Sequence, residues 1–435
     1  MGTKQELDHV AAMEHQEKSG SDIEEPSLAP NLKKRDGVIL MPQPSDDPHD
    51  PLNWSSFRKH MAMATISYLA LTCYMTVTTL VPGTVELGKE FNVPKETAVY
   101  LGSTPVALYG VGPFLWSPLS HSIGRRPVLL LCNIIAIVGT IIVATSHSYG
   151  ACMAGRIILG LGGSAFWSLG PASIGDMFFR HEKGKKIGIS TLAIVVSPFA
   201  GGIIGGAIID SPKLGWRWSQ WIPLILMAIG FAMQVVFLPE TVYVREIGSP
   251  GGVPQPVTPT KPTRWGRYGI HIPKRPADKR DGFWFIASRP FVMFKFPVVV
   301  LTSFWFGLAY WCHVGITAEL PLIFEPEPFN FSVTDVGLAA FSGLIGALIG
   351  EAYAGPAIDY IAKRCLKQGK EWRPEMRLKA IWPALVATPI GLIMFGVSIQ
   401  FGNAWITPLV GQGIYIFGIE IATTVWYIFE FLSFV

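Results

Sequence analysis

Leu115–Leu131 reads LWSPLSHSIGRRPVLLL. Two apolar runs are joined by a short turn that carries Gly124 and the adjacent arginines Arg125 and Arg126. In a soluble protein such runs would form a core, and a doubly charged hinge between them would sit on the surface. The rest of the chain excludes that reading. Half of the 435 residues are hydrophobic and only 15% are charged, against about 25% in an average soluble domain. The chain lacks the polar surface to stay dissolved, so the turn is read as the tip of a hairpin of membrane helices.

A helix crossing the hydrocarbon core needs roughly 20 mostly apolar residues. Its backbone must be paired internally, as a helix or a closed barrel. Strict alternation of apolar and polar residues is absent, which argues against a barrel. Ten apolar runs fit: 60–82, 98–118, 127–147, 151–171, 187–209, 218–238, 292–316, 335–356, 380–399 and 406–429. The expected fold is an all-α membrane protein.

The charges alternate with the runs. Basic residues gather before the first run (Lys33, Lys34, Arg35, Arg58, Lys59) and after the second (Arg125, Arg126). They recur after the fourth (Arg180, Lys183, Lys185, Lys186), the sixth (Arg264, Arg267, Lys274) and the eighth (Lys363, Arg364, Lys367). The odd-numbered connections are basic-poor. Lysine and arginine mark cytoplasmic loops, so the even-numbered turns and the N-terminus are expected in the cytosol of a multi-pass cell-membrane protein.

Four regions are expected. Residues 1–57 read as a disordered cytosolic tail and 58–241 as a six-helix bundle. The Pro-, Gly- and Lys-rich stretch 242–290 reads as a linker, and 291–435 as a second bundle of about four helices. Two bundles joined by a linker suggest alternating access to a site between them.

The formal charge of +4 is small and spread out, so no nucleic-acid partner is expected. The five cysteines form no CxxC pair. No HExxH, GxSxG or P-loop sequence occurs, so neither an enzyme nor a metal or cofactor is expected. GLGGSA at 160–165 lies inside an apolar run and reads as helix packing.

The stretch Gly112–Pro127, GPFLWSPLSHSIGRRP, resembles the loop signature of the major facilitator superfamily, in the flavour of fungal drug:proton antiporters. DPLNW (Asp50–Trp54), GRIILGLGG (Gly155–Gly163), SPFAGG, GWRW (Gly215–Trp218), PET (Pro239–Thr241) and PEMRL (Pro374–Leu378) follow the same order. The resemblance covers about 50–430. It implies two helical bundles and proton-coupled export of a small organic molecule by a monomer in the plasma membrane. The pattern departs in three places. His121 stands where the signature has an acid, Ser197-Pro198 where the antiporters have Gly-Pro, and about ten spans where the family has twelve, as if shortened at the C-terminus.

Candidate site residues follow. Gly112, His121, Gly124, Arg125, Arg126 and Asp176 would form a cytosolic latch. The resemblance links Arg156 to the cavity and to proton coupling, whereas the residue alone could equally snorkel to an interface. A charge inside a span costs about 2.5–3.5 kcal/mol on insertion scales. Glu420 lies mid-span and could carry a proton, and His313 could titrate near neutral pH. Glu351 is a weaker candidate, nearer the cytosolic end. Asp176 and Asp359 would pair with Arg125, Arg126, Lys363 or Arg364. Tyr74, Tyr109, Trp116, Phe166, Trp167, Tyr310 and Trp311 could stack on a flat solute or simply pack. The spacing of Gly201, Gly202, Gly205 and Gly206 lets helices approach closely, and the resemblance implies that these residues, with Pro198, form the interface between halves. Asn330-Phe331-Ser332 is a glycosylation sequon expected on the outside. Uptake of an organic cation or polyamine, or a shortened, non-transporting sensor or regulator, are the alternative functions.

Overall fold

In the computed structural model, the described residues are 50–243, 283–367, 374–402 and 404–433, with short pieces between 34 and 47. Among them, ten helices are long and apolar enough to span a membrane. They are α1 Ser56–Thr78, α2 Tyr100–Ile123, α3 Arg125–Ala144, α4 Tyr149–Met177, α5 Arg180–Ile209, α6 Trp218–Phe237, α7 Pro297–Phe324, α8 Val333–Lys367, α9 Trp382–Gln400 and α10 Ile406–Ser433. The ten apolar runs of the sequence each fall on one helix.

Local chemistry sets the helix ends. The Ser55 hydroxyl accepts from Arg58 N at the start of α1, and Ser148 accepts from Ala151 N at the start of α4. Each satisfies an N–H that the first turn leaves unpaired. Between α2 and α3, Gly124 has φ of +102°, a conformation that costs an L side chain strain. Thr72 and Thr76 return their hydroxyl hydrogens to the carbonyls of Tyr68 and Thr72. These two hydroxyls are thus satisfied within their own helix.

Packing follows small residues. Gly155 and Gly162 let α4 approach α3, where an added Cβ would lie 2.9 Å from Gly139 O and 2.5 Å from Ala136 N. Gly160 faces Pro105 of α2 on another side of the same helix. The GRIILGLGG stretch is therefore a packing face, as the sequence indicates. Helices α2, α3 and α4 interlock, α1 packs on α5 and α6, and α10 packs on α8 and α9. Helix α5 also packs against α8. A buried amide pair, Asn133 Nδ2 to Gln234 Oε1 at 3.0 Å, ties α3 to α6. Helix α7 is the least enclosed, with Trp311 73% and Phe304 72% exposed.

Two expected boundaries are corrected. The last part of the tail is ordered. Asp50 is fully buried and accepts from Leu52 N and from Ser45 N and Oγ. Leu52 packs with Leu40 and Phe179, and the Tyr243 hydroxyl donates to Asp47 at 3.2 Å. The DPLNW segment is a polar-capped turn pinned to the ends of α4 and α6, so its low hydropathy does not mean disorder. In the stretch read as linker, Phe283–Met293 is a helix lying against α2, with Phe291 stacked on Phe114 at 5.5 Å. The sequence signal was a short aromatic run, FWFIASRPFVM. Residues 1–33 and 244–282 lie outside the described residues, as do the side chains of Asp359 and Lys363.

The end of the bundle that carries the Asp50–Trp54 turn is called the tail face below, and the opposite end the far face. The Gly124 turn lies at the tail face. The loop with Asn330 lies at the far face, and Asn330 is exposed there with φ of +51°.

Candidate functional site

Helices α1, α4 and α5 face α7 and α10 across a cavity of about 280 Å³. A chain of aromatic rings runs across its wall. Tyr74 meets Tyr109 at 5.2 Å and Trp167 at 5.0 Å between ring centroids, all edge to face. Trp167 continues to Tyr310 of α7 at 6.5 Å, and Tyr310 to His313 at 5.5 Å. Phe199 of α5 and Phe306 of α7 complete the apolar wall. Thr191, Thr302, Ser303 and Thr423 supply hydroxyls, and Glu420 of α10 is the one carboxylate among the lining residues. No lysine or arginine lines it among the described residues. Toward the far face the space narrows to about 20 Å³ between Val81 and Pro82 on one side and Thr317, Leu320 and Val336 on the other. The cavity therefore lies on the tail side of a closed far end.

Four expected cavity residues, Tyr74, Tyr310, His313 and Glu420, come together here. Two do not. Trp311 faces outward, because one step along a helix turns a side chain by about 100° away from Tyr310. Arg156 is fully buried behind the wall. Its Nε donates to Leu101 O at 2.6 Å, and its terminal nitrogens donate to Thr76 O at 3.3 Å and Val77 O at 2.5 Å. A fixed guanidinium fork thus closes the C-terminal end of α1, where unpaired carbonyls and the helix dipole favour a cation. The Arg156 partners are backbone atoms of two other helices, which no local pattern reveals.

The turn at Gly124 is built from distant acids. Arg125 Nε pairs with Asp176 at 2.6 Å. The Glu240 carboxylate accepts from Arg125 N at 3.0 Å and Arg126 N at 3.1 Å, as well as from Thr241 N and Val242 N. It caps the start of α3, where unpaired N–H groups favour an anion. Arg126 is buried and donates to Val235 O. His121 lines a small pocket with Arg125, Asp176 and Tyr243. Glu240, from the end of α6, is thus a carboxylate seated on the turn that follows His121, a role that the PET sequence carries but does not announce. Gly112 is not part of this latch. It lies three turns earlier, where an added Cβ would strike Ser164 Oγ at 1.9 Å in the α2–α4 contact.

The α5 glycines divide. At Gly202 and Gly206 an added Cβ would meet Ala340 Cβ at 3.3 Å and Val333 O at 2.8 Å of α8. At Gly201 and Gly205 it would meet Thr78 Oγ1 at 2.0 Å and Thr79 O at 2.1 Å, at the end of α1. Only the first pair faces the other half, and Pro198 lines the cavity. Among the described residues no cluster of His, Cys, Asp or Glu could hold a metal ion.

A bundle of ten apolar helices around a central, closed-ended cavity defines a class of membrane carrier. The sequence profile of the Major Facilitator Superfamily matches residues 66–432, and the chain belongs to that family. It is a multi-pass secondary transporter, not an enzyme. It is similar to the MFS-type transporter penM of Penicillium rubens, at 28% identity over 93% of this chain and 79% of that one. A cycloheximide resistance protein of Candida maltosa matches at 27%, over 88% and 69%. A trichosetin biosynthesis cluster MFS transporter of Gibberella fujikuroi matches at 27%, over 92% and 74%. The fold is shared with the xylose transporter XylE of E. coli, at a TM-score of 0.57 and 14% identity, over 86% of this chain and 87% of that one. The human organic anion transporter MFSD10 aligns at 0.52 and 20%, over 86% of each.

Proposed function

We propose that this protein exports a small organic molecule across the plasma membrane in exchange for protons. The observation that carries the reading is Glu420, the one carboxylate lining an aromatic, hydroxyl-dotted cavity. An apolar pocket with few polar groups suits a drug-sized solute, and an intramembrane acid is a proton site by default. Export is supported by the relatives, among them a cycloheximide resistance protein and a biosynthesis cluster transporter. The tail face is the cytosolic one, since Arg125, Arg126, Lys183, Lys185 and Lys186 gather there. Helices α1–α6 and α7–α10 are two rocking units, joined through residues 242–290 and hinged where Gly202 and Gly206 meet α8. The unit of function is one chain.

Uptake of an organic cation fits the same wall, because the cavity offers one carboxylate and no lysine or arginine among its described lining residues. The test is a toxicity screen in cells that overproduce the chain, with and without a protonophore. Resistance that the protonophore abolishes supports export. Heightened sensitivity would indicate uptake instead, and resistance indifferent to the protonophore would end the proton-coupling reading.

A further inference from the structure

Helices α8 and α10 are in close contact beside Glu420. A Cβ on Gly350 would stand 2.9 Å from Glu420 Cβ and 3.0 Å from Phe417 O. The next residue on α8 is Glu351, partly buried and accepting a hydrogen bond from Thr424 Oγ1 at 3.1 Å. Thr424 is four residues beyond Glu420 on α10, so the two share one helix face. The neighbouring Thr423 gives its hydroxyl hydrogen to Ile419 O, whereas Thr424 gives its hydrogen to a carboxylate on another helix.

We propose that Glu351 and Glu420 form one carboxylate pair, with Thr424 between them, and that the transported proton resides on the pair rather than on Glu420 alone. This rests on the proton-coupled reading of the cavity. Two carboxylates at one site in an apolar wall carry a single negative charge at far less cost than two. Thr424 offers a path. A proton leaves Glu420 for the Thr424 oxygen while the Thr424 hydrogen passes to Glu351, and rotation of the hydroxyl restores the start. One proton moves and nothing else changes. The other titratable groups facing Glu420 come from across the cavity, namely Tyr310 and His313 of α7 and Tyr74 of α1. From α9, the side facing α10 at this level presents Thr388, against Gly418. Glu351 is the one other carboxylate among these groups.

The 435-residue chain is reconstituted in vesicles, and its protonated carboxyl bands are followed by infrared difference spectroscopy across a pH titration. No substrate is needed. A coupled pair titrates as a unit, so Glu351→Gln should move the remaining Glu420 band by about one pH unit or more. Glu351→Asp should retain the coupling, and Thr424→Val, which keeps the shape, should weaken it if Glu351→Gln fails to fold. A Glu420 band that titrates identically with and without the Glu351 carboxyl overturns the pair. Proton-gradient-driven transport is measured in the same vesicles. If the bands are coupled but transport ignores the gradient, the exporter reading fails and with it the pair's role in transport, and only the pairing of the carboxylates stands; if transport is coupled but the bands are independent, the pair fails alone.

Discussion

Glu240 lies so close over Gly124 that any Cβ on the glycine would come within 2.5 Å of its Oε2. Positive φ and this carboxylate both require glycine there. Gly124→Ala adds backbone strain of about 1–3 kcal/mol and displaces the acid that caps α3. Thermal unfolding in detergent should show a lowered midpoint for Gly124→Ala. Glu240→Gln keeps an acceptor and should lose less than Glu240→Ala, which forfeits hydrogen bonds worth about 1.5–3 kcal/mol each for a charged acceptor. Equal midpoints for all three variants and the parent would remove Glu240 as the anchor of the turn.

Arg156 holds three backbone carbonyls from two helices; Thr76 O also accepts from the Thr79 hydroxyl, but each carbonyl left unsatisfied costs about 1–3 kcal/mol. Arg156→Ala should yield little folded protein. Arg156→Lys puts a point charge where a fork is needed, so it should fold with reduced stability and an unaltered pH profile of transport. A shifted pH profile with unaltered stability would instead return Arg156 to proton coupling.

Tyr310 and Trp311 are adjacent in sequence and face opposite environments. Tyr310→Ala removes a ring from the cavity wall, a contact worth about 0.5–1.5 kcal/mol, and should weaken solute binding by up to about tenfold. Trp311→Ala should leave affinity unchanged. Dose-response curves for a transported toxin measure both.

Glu325, at the far-face end of α7, has its carboxyl pushed up to about 7, first by burial and then by Glu86, with Lys89 and Lys95 opposing. Its Oε1 is buried without a hydrogen-bond partner in the structure. The packed far face binds this proton more tightly than an opened, solvated one, in which the value returns to about 4.5. The stabilisation is therefore fully present below about 4.5 and lost as pH rises through about 7. Hydrogen exchange of residues 325–332, corrected for intrinsic rates, should show protection fading across that window. Glu325→Gln should stay protected throughout, and a parent profile flat from acid to neutral pH would contradict the assignment.

The sequence disclosed the ten spans because each is a long apolar run, and the basic turns because lysine and arginine stand out against such a background. Tyr74, Tyr310, His313 and Glu420 were legible as polar groups inside greasy segments. Trp311 was misread because composition does not give helix phase, and the α5 glycines split by that same phase. Gly201 and Gly205 share one face, and Gly202 and Gly206 the next. The partners of Arg156 and the seat of Glu240 were hidden for another reason. They are formed by residues 55 to 115 positions away, or by backbone atoms that every residue possesses. Thr191, Thr302 and Phe306 carry no local mark at all; only the fold gathers them around one space.

The most direct test reconstitutes the protein in vesicles and imposes a pH gradient, with cycloheximide and a set of lipophilic amines as probes. Solute movement should run against proton flow, collapse when the gradient is dissipated, and be absent from Glu420→Gln. Solute movement indifferent to the gradient, or undiminished in Glu420→Gln, would contradict proton-coupled transport through this cavity.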